Sequence, residues 1–172
     1  MYTFPDIVLS KRSLPLERID RSLYKLAEDM LETMYEAPGI GLAANQVGIL
    51  KRIIVLDVEY EHDDDQIILN RKPQVMINPI LEKHEGEILY SEGCLSVPGF
   101  NCKVKRFEKV WVRYHDIDGR ERRIVTDGLQ AVCLQHEMDH LNGRLFIDKL
   151  SSAKKAATKQ KLRKARREQE DG

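Results

Sequence analysis

The sequence has no long apolar run and few cysteines, and these shortages exclude membrane-spanning and disulfide-stabilised proteins. Its apolar stretches, such as IIVL at 53–56, are much shorter than the roughly 20 residues that cross a bilayer as a helix. The N-terminal segment MYTFPDIVLSKRS has no apolar core of the kind found in secretory signals. The three cysteines are an odd number without a closely spaced pair, so no disulfide framework is expected. We therefore expect a single-domain cytoplasmic protein without a membrane partner.

The absence of net charge hides an uneven distribution of charge along the chain. Residues 149–172 contain nine of the 28 basic residues but only three of the 28 acidic ones. This contrast divides the chain into a main domain at 1–148 and a basic, helical C-terminal tail at 149–172. The tail has no aromatic residue to stack on a base, which argues against sequence-specific recognition of nucleic acid. Its charge is consistent both with a solvated helix face and with a docking surface.

Hydrophobic periodicity and turn residues predict an α+β fold. Apolar residues at helical spacing predict an amphipathic N-terminal helix over 16–36. Asp127 as an N-cap and Gly143 as a C-terminal residue predict a second helix over about 128–141. Short apolar runs between the two helices predict strands, and an Asp-Gly pair at 118–119 predicts the turn of an antiparallel hairpin.

The segment GIGLAANQVG at 39–48 has the glycine spacing of a dinucleotide-binding loop. Such a loop requires a strand before it and a helix after it. Here the predicted order is the reverse, because a helix precedes the segment and the apolar strand at 51–58 follows it. The sequence therefore excludes the nucleotide-binding interpretation and leaves this loop available for another role.

The strongest chemical signal is QHEMDH at 135–140. On a helix, His136 and His140 lie one turn apart on the same face, so two imidazoles can bind one metal ion with Glu137 beside it as a general base. The last ligand of the extended metalloprotease motif would fall at Phe146, which cannot bind a metal. The third ligand must therefore come from another element.

Cys94, in the segment EGCLSVPG at 92–99, is the best candidate for that third ligand. A glycine before it and a Pro-Gly pair after it predict a turned backbone that exposes the thiol. Cys102 begins an alternating strand, and Cys133 lies too far along the helix from His140 to share a metal with it. Both are therefore interpreted as packing residues.

Three segments, GIGLAANQ, EGCLS and QHEMDH, resemble in this order the three motifs of the peptide deformylases, and the resemblance covers essentially the whole chain. It implies a hydrolase that removes the N-formyl group from the N-terminal formylmethionine of nascent polypeptides and releases formate. It also implies that Cys94, His136 and His140 bind one divalent metal ion, most commonly Fe²⁺, for which Zn²⁺, Ni²⁺ or Co²⁺ can substitute. The expected architecture is a set of antiparallel strands packed around the metal-binding helix.

The same resemblance implies a role for other residues of the motifs. Glu137 would act as general base and then general acid, while the Gln46 side chain and the Leu95 backbone N–H would stabilise the oxyanion. The implied substrate-binding residues are Ile40, Gly41, Val132 and Cys133. Glu92 is expected to pair with Arg106 and so to hold the cysteine loop.

Two other functions remain consistent with the residues. A metalloendopeptidase would share the histidine motif but would use a His, Glu or Asp in place of Cys94 as third ligand. A non-enzymatic metal module would have four protein ligands and no open position, and would use its basic tail to bind RNA or the ribosome. Contact between the tail and the ribosome is also compatible with the deformylase interpretation, because formylated chains emerge there.

Overall fold

A five-stranded antiparallel sheet lies at the centre of the protein, which a computed structural model describes over residues 1–63, 65 and 67–170. In chain order the strands are β1 (Gly41–Ala43), β2 (Ile53–Leu56), β3 (Glu61–His62), β4 (Ile68–Leu69), β5 (Gln74–Glu85), β6 (Ile88–Cys94), β7 (Val97–Arg106), β8 (Lys109–His115) and β9 (Glu121–Asp127). The central sheet has the order β1-β2-β5-β8-β9, while β3 pairs with β4 and β6 pairs with β7. The mixture of helices and antiparallel strands that the sequence predicted is confirmed.

Strand β2 explains how the sheet is covered on both faces. Its sequence, IIVL, is apolar at every position because neither face is exposed to solvent. Ile54 and Leu56 pack towards helix α2 (Gly128–Leu141), whereas Ile53 and Val55 pack towards helix α1 (Ser22–Glu36). The two helices therefore lie on opposite faces of the central sheet.

Helix α2 has the bounds that the sequence predicted and the predicted residue at its N-cap, but that residue makes no side-chain cap hydrogen bond. Asp127 occupies the N-cap position without accepting a side-chain hydrogen bond, and the Gln130 side chain instead accepts from the Thr126 hydroxyl. Residues 131–137 are all buried, so polar side chains of this helix face the protein interior. The helix ends before Gly143, whose φ of +68° favours glycine and whose N–H donates to the His140 carbonyl.

Helix α1 begins six residues later than predicted. The Asn78 side chain binds both the N–H and the carbonyl of Leu16, which holds that residue outside a helix. The Asp20 carboxylate accepts from the backbone N–H of Ser22 and starts the helix there. Four residues of α1 belong to the apolar cluster that packs on the sheet: Leu23, Met30, Met34 and Tyr35.

The long alternating segment at 102–116 is divided between two sheets. Strand β7 pairs with β6, whereas β8 pairs with β9 in the hairpin that the Asp-Gly turn predicted. Between them, the Gln135 side chain accepts from the Phe107 N–H and donates to the Phe107 carbonyl. These two hydrogen bonds provide partners for the backbone N–H and carbonyl of Phe107 at the point where the chain passes from one sheet to the other.

The C-terminal helix α3 (Ser152–Glu170) occupies most of the predicted tail, whose residues 171 and 172 lie outside the described part of the chain. Leu162 packs against the apolar cluster beneath β6 and β7, and Lys159 forms an ion pair with Asp148. Within the described residues, no helix is both long and apolar enough to span a membrane.

Candidate metal centre and catalytic pocket

Strand β6 and helix α2 bring the three predicted metal ligands together. Cys94 is the last residue of β6, and its Sγ lies 3.2 Å from Nε2 of His140. The Nε2 atoms of His140 and His136 are also 3.2 Å apart, and one ligand atom from each of the three residues lies within 4.8 Å of the others. Among residues 1–63, 65 and 67–170, these three form the one such group of His, Cys, Asp or Glu that could hold a metal ion.

These separations fit the geometry of a bound transition metal. A tetrahedral ion with bonds of about 2.0–2.3 Å to nitrogen and sulfur places its ligand atoms roughly 3.5 Å apart. The separations of 3.2 Å around His140 Nε2 are close to that value. Phe146, at the position where a protease motif would place a third histidine, is buried with its ring centroid 5.9 Å from that of His136.

A buried carboxylate orients one of the two histidines. His136 Nδ1 lies 2.7 Å from Glu92 Oε2, which leaves its Nε2 directed towards Cys94 and His140. Glu92 also accepts two hydrogen bonds from Arg106, and the predicted ion pair between them is therefore confirmed. The third nitrogen of Arg106 donates to Asp139 at 2.5 Å, a contact that the sequence does not predict.

Glu137 has the surroundings of a proton-transfer group. It is 4% exposed, and its Oε2 has no hydrogen-bond partner among the described residues. Burial raises its pKa to about 7, and the nearby Glu92 carboxylate contributes to the increase, while His136 opposes it. A carboxyl group with a pKa near neutrality can both accept and donate a proton at that pH.

Gly41 allows strand β1 to approach Glu137 closely. A Cβ atom on Gly41 would lie 2.6 Å from Glu137 Oε1 and 2.7 Å from Cys133 Sγ. Cys133 donates from Sγ to the Ile40 carbonyl at 3.5 Å, and burial together with Glu137 raises the pKa of its thiol well above the usual value. The Cys133 thiol is therefore neutral and packs beside the site, as expected.

Gln46 lies in a short 3₁₀ helix (Ala44–Val47) immediately after β1. Its Oε1 accepts from the Ala43 N–H at 2.8 Å, and its Nε2 lies 3.9 Å from Cys94 Sγ. Leu95 begins the two-residue turn between β6 and β7, next to the cysteine. The predicted amide donor and the predicted backbone donor thus lie on two loops that meet beside the same thiol.

A cavity of about 570 Å³ opens over these groups. The four predicted substrate-binding residues line it together with Gln46, Leu95 and Glu137. Tyr90, Phe100 and Leu129, which the sequence patterns did not predict, are among the other apolar residues that line it. The sequence contains a pattern that indicates two of them. Tyr90 lies two residues before Glu92 and so on the same face of a strand, and Leu129 lies on the same helix face as Val132 and His136.

Comparison with known proteins agrees with this arrangement. The sequence model of the polypeptide deformylase family matches residues 1–156. Peptide deformylase 2 of Xanthomonas campestris is 47% identical over 167 residues, which cover 95% of this chain and 94% of that protein. The peptide deformylase of Rhizobium meliloti is 48% identical over 162 residues, which cover 94% of this chain and 90% of that protein.

Solved structures show the same similarity in three dimensions. The crystal structure of a peptide deformylase from Legionella pneumophila superposes with a TM-score of 0.85 at 42% identity, covering 99% of this chain and 96% of that one. A Synechococcus elongatus peptide deformylase in complex with actinonin has a TM-score of 0.82 at 45% identity, covering 93% of this chain and 85% of that one. The chain belongs to the polypeptide deformylase family, hydrolases that remove the N-formyl group from the formylmethionine of nascent polypeptides.

Proposed function

We propose that Cys94, His136 and His140 hold one divalent metal ion and that Glu137, Gln46 and Leu95 carry out deformylation beside it. The convergence of the three ligand atoms, two of which belong to residues that line the cavity, is the observation that supports this proposal most strongly. The Glu92 contact supports it as well, because a histidine that ligates through one nitrogen usually donates from the other.

When bound, the metal ion would supply Lewis-acid chemistry and lower the pKa of water in the site. We propose Fe²⁺ as the native ion, on the basis of the family resemblance. The donor set of one thiolate and two imidazoles also suits Zn²⁺, Ni²⁺ and Co²⁺, so these ions should be able to replace it.

Glu137 moves the proton in the proposed reaction. Its unpartnered Oε2 accepts a proton from the attacking water, and the same carboxyl group then donates that proton to the nitrogen of the leaving amine. Gln46 Nε2 and the Leu95 backbone N–H donate to the formyl oxygen as negative charge develops on it. Cleavage of the C–N bond then releases formate and a peptide with a free amino group.

The first side chain of the substrate binds in the apolar part of the cavity. Ile40, Val132 and Cys133 contact the methionine side chain, and the Gly41 backbone pairs with the extended peptide. Strand β1 lies at an edge of the central sheet, which supports this role because one side of its backbone is available for such pairing.

We place the catalytic domain at residues 1–148 and a basic tail at 149–172, and we propose that the amphipathic helix α1 supports the first motif loop from below. Three cations of α3, Lys154, Lys161 and Lys164, are exposed. They could contact ribosomal RNA electrostatically in the cytoplasm, where nascent formylated chains are made. Replacing all three with glutamine should weaken salt-sensitive co-sedimentation with ribosomes without changing hydrolysis of a free formyl peptide. Unchanged co-sedimentation would show that these lysines do not bind the ribosome.

Metal analysis and turnover together test the catalytic proposal. Protein purified without oxygen should contain about one Fe²⁺ per chain and hydrolyse a formylmethionyl peptide. Cys94→Ala should lose most of the metal and the activity, whereas Cys102→Ala, a matched thiol outside the ligand set, should retain both. Full metal content in Cys94→Ala would contradict the ligand assignment and favour the endopeptidase-type site with a His, Glu or Asp ligand.

A further inference from the structure

The Gln46 side chain belongs to a hydrogen-bonded chain that leads away from the metal site to the N-terminal segment. Gln46 Nε2 donates to Ser96 Oγ at 3.0 Å, and Ser96 Oγ donates to the Tyr2 carbonyl at 2.9 Å. Gln46 is 1% exposed and the Ser96 side chain is fully buried. Solvent therefore does not compete for these bonds, and the hydroxyl has one defined acceptor.

The directions of these bonds fix the orientation of the Gln46 amide. Because Oε1 already accepts from the Ala43 N–H, the nitrogen end of the amide must point towards Ser96 and Cys94. An amide nitrogen carries two hydrogens. The Ser96 hydroxyl engages one of them and leaves the other directed into the site.

We propose that Ser96 is a positioning residue for Gln46 and that residues 2–4 hold Ser96 in place. This inference rests on the proposed role of Gln46 as a donor to the formyl oxygen. The Tyr2 N–H donates to the Gln46 carbonyl at 2.7 Å, and the Phe4 N–H donates to the Ser96 carbonyl at 2.8 Å. Residues 2–4 therefore bridge two catalytic loops that are 50 residues apart in the sequence.

Helix α3 secures this bridge from the outside. The Phe4 ring lies beneath two cations, with its centroid 5.8 Å from Lys159 Nζ and 5.6 Å from Arg163 Cζ. Arg166 donates to the Thr3 hydroxyl. The tail thus contacts the segment that orients Gln46, although it lies outside the cavity itself.

A double-mutant cycle in the metal-containing enzyme tests the inference. Ser96→Ala should lower kcat about tenfold with little change in KM, because a misdirected donor loses its contact chiefly in the transition state. Gln46→Ala should lower kcat about 10²-fold, as expected for loss of one oxyanion donor. The double variant should be no slower than Gln46→Ala, since Ser96 acts through Gln46.

Two further variants separate positioning from general stability. Ser13→Ala is the matched control, because Ser13 is 1% exposed and its Oγ has no partner among the described residues; it should retain wild-type kinetics. Phe4→Leu leaves every cavity-lining residue unchanged, yet it should lower kcat a few-fold, and it should have no effect in the Ser96→Ala background. The metal content and thermal midpoint of each variant are measured so that metal loss or unfolding is recognised.

The outcomes distinguish this inference from the proposed function. If Gln46→Ala is slow but Ser96→Ala has wild-type kcat, or if the two losses multiply in the double variant, the positioning role is wrong while the donor role stands. If Gln46→Ala itself has wild-type kcat, the donor role is wrong and the positioning role with it. If Ser96→Ala does not fold, Phe4→Leu decides, and an unchanged kcat in that variant overturns the proposal.

Discussion

Arg106 lies almost fully buried between two carboxylates. One of them, Glu92, contacts His136, and the other, Asp139, lies on helix α2. Glu92 binds two of the Arg106 nitrogens and Asp139 binds the third. Burial raises the pKa of Glu92, but the hydrogen bonds from Arg106 and His136 more than offset this effect and hold the pKa below its usual value. A buried charge cluster of this kind depends on every member, since removal of one charge leaves the others uncompensated.

Arg106→Ala is therefore expected to reduce the free energy of unfolding by about 3–5 kcal/mol, because it leaves a buried carboxylate without its partner. Urea denaturation followed by circular dichroism measures this change. Arg113→Ala is the matched control, since Arg113 pairs with Glu82 and Glu121 at the surface and should cost at most about 1 kcal/mol. Equal losses in the two variants would contradict the buried-cluster argument.

Gly41→Ala should abolish most activity without unfolding the protein. The added Cβ would meet Glu137 Oε1 at 2.6 Å, so the carboxylate or strand β1 has to shift, and a displacement of about 1 Å can cost about 10²-fold in rate. Steady-state kinetics on a formyl peptide checks the prediction. Gly119→Ala provides the comparison: at φ +80° in the hairpin turn it should lose stability but keep its rate. Wild-type turnover in Gly41→Ala would show that the close approach is not needed.

At the scale of elements, helix α2 organises the strands on which the site depends. One of its faces carries His136 and His140. Another carries Gln135, which binds the backbone of Phe107 between β7 and β8. The same helix therefore presents the two imidazoles and fixes the change of sheet that places β6, with Cys94 at its end, beside them.

Gln135→Leu tests this organising role. The substitution leaves the N–H and carbonyl of Phe107 without their partner in a part-buried position, which should lower the free energy of unfolding by about 2–3 kcal/mol. Chemical denaturation measures the loss. Gln130→Leu on the same helix removes one bond to a hydroxyl and should cost less than about 1 kcal/mol. A loss in Gln135→Leu no larger than that of Gln130→Leu would show that the backbone contact contributes little.

At the scale of the whole molecule, the two ends of the chain meet near the site, because Arg166 of α3 donates to the Thr3 hydroxyl and the Tyr2 N–H donates to the Gln46 carbonyl. An ion pair also holds α3 against the main domain. Asp148 accepts from the Lys159 ammonium and from the Leu145 N–H, and so joins α3 to the main domain. Burial raises the pKa of Asp148, but these hydrogen bonds and the neighbouring Lys155 lower it below 3.8 overall. Because the folded-state pKa is depressed, this group contributes stability at higher pH, and that contribution is lost as the pH falls through the folded-state value.

Asp148→Asn should therefore destabilise the protein by about 1 kcal/mol at neutral pH, and the difference from wild type should shrink as the pH falls below 3.8. Denaturation at a series of pH values measures the difference. Glu168→Gln is the control. It alters an exposed ion pair with Lys164 within α3 and should have no measurable effect on stability. A pH-independent difference between Asp148→Asn and wild type would rule out the ionic contribution.

Local patterns in the sequence were sufficient where the relevant interactions are local. Helix α2 has its predicted bounds, and the hairpin of β8 and β9 forms around the predicted Asp-Gly turn. The predicted start of α1 is six residues too early because its position depends on Asn78, which is 62 residues away from Leu16. Asp127 lies at the predicted N-cap position but makes no side-chain cap hydrogen bond, and the Gln130 side chain accepts from the Thr126 hydroxyl.

The sequence by itself determined that His136 and His140 lie one turn apart, because helical spacing is a property of neighbouring residues. Only the tertiary structure decided that the Cys94 sulfur, 42 residues before the first histidine, lies beside both rings, and that Asp139 binds Arg106. It also decided that Tyr2 meets Gln46 and Ser96. These contacts depend on strand register and on the packing of distant segments, which the short-range order of residues along a chain does not fix.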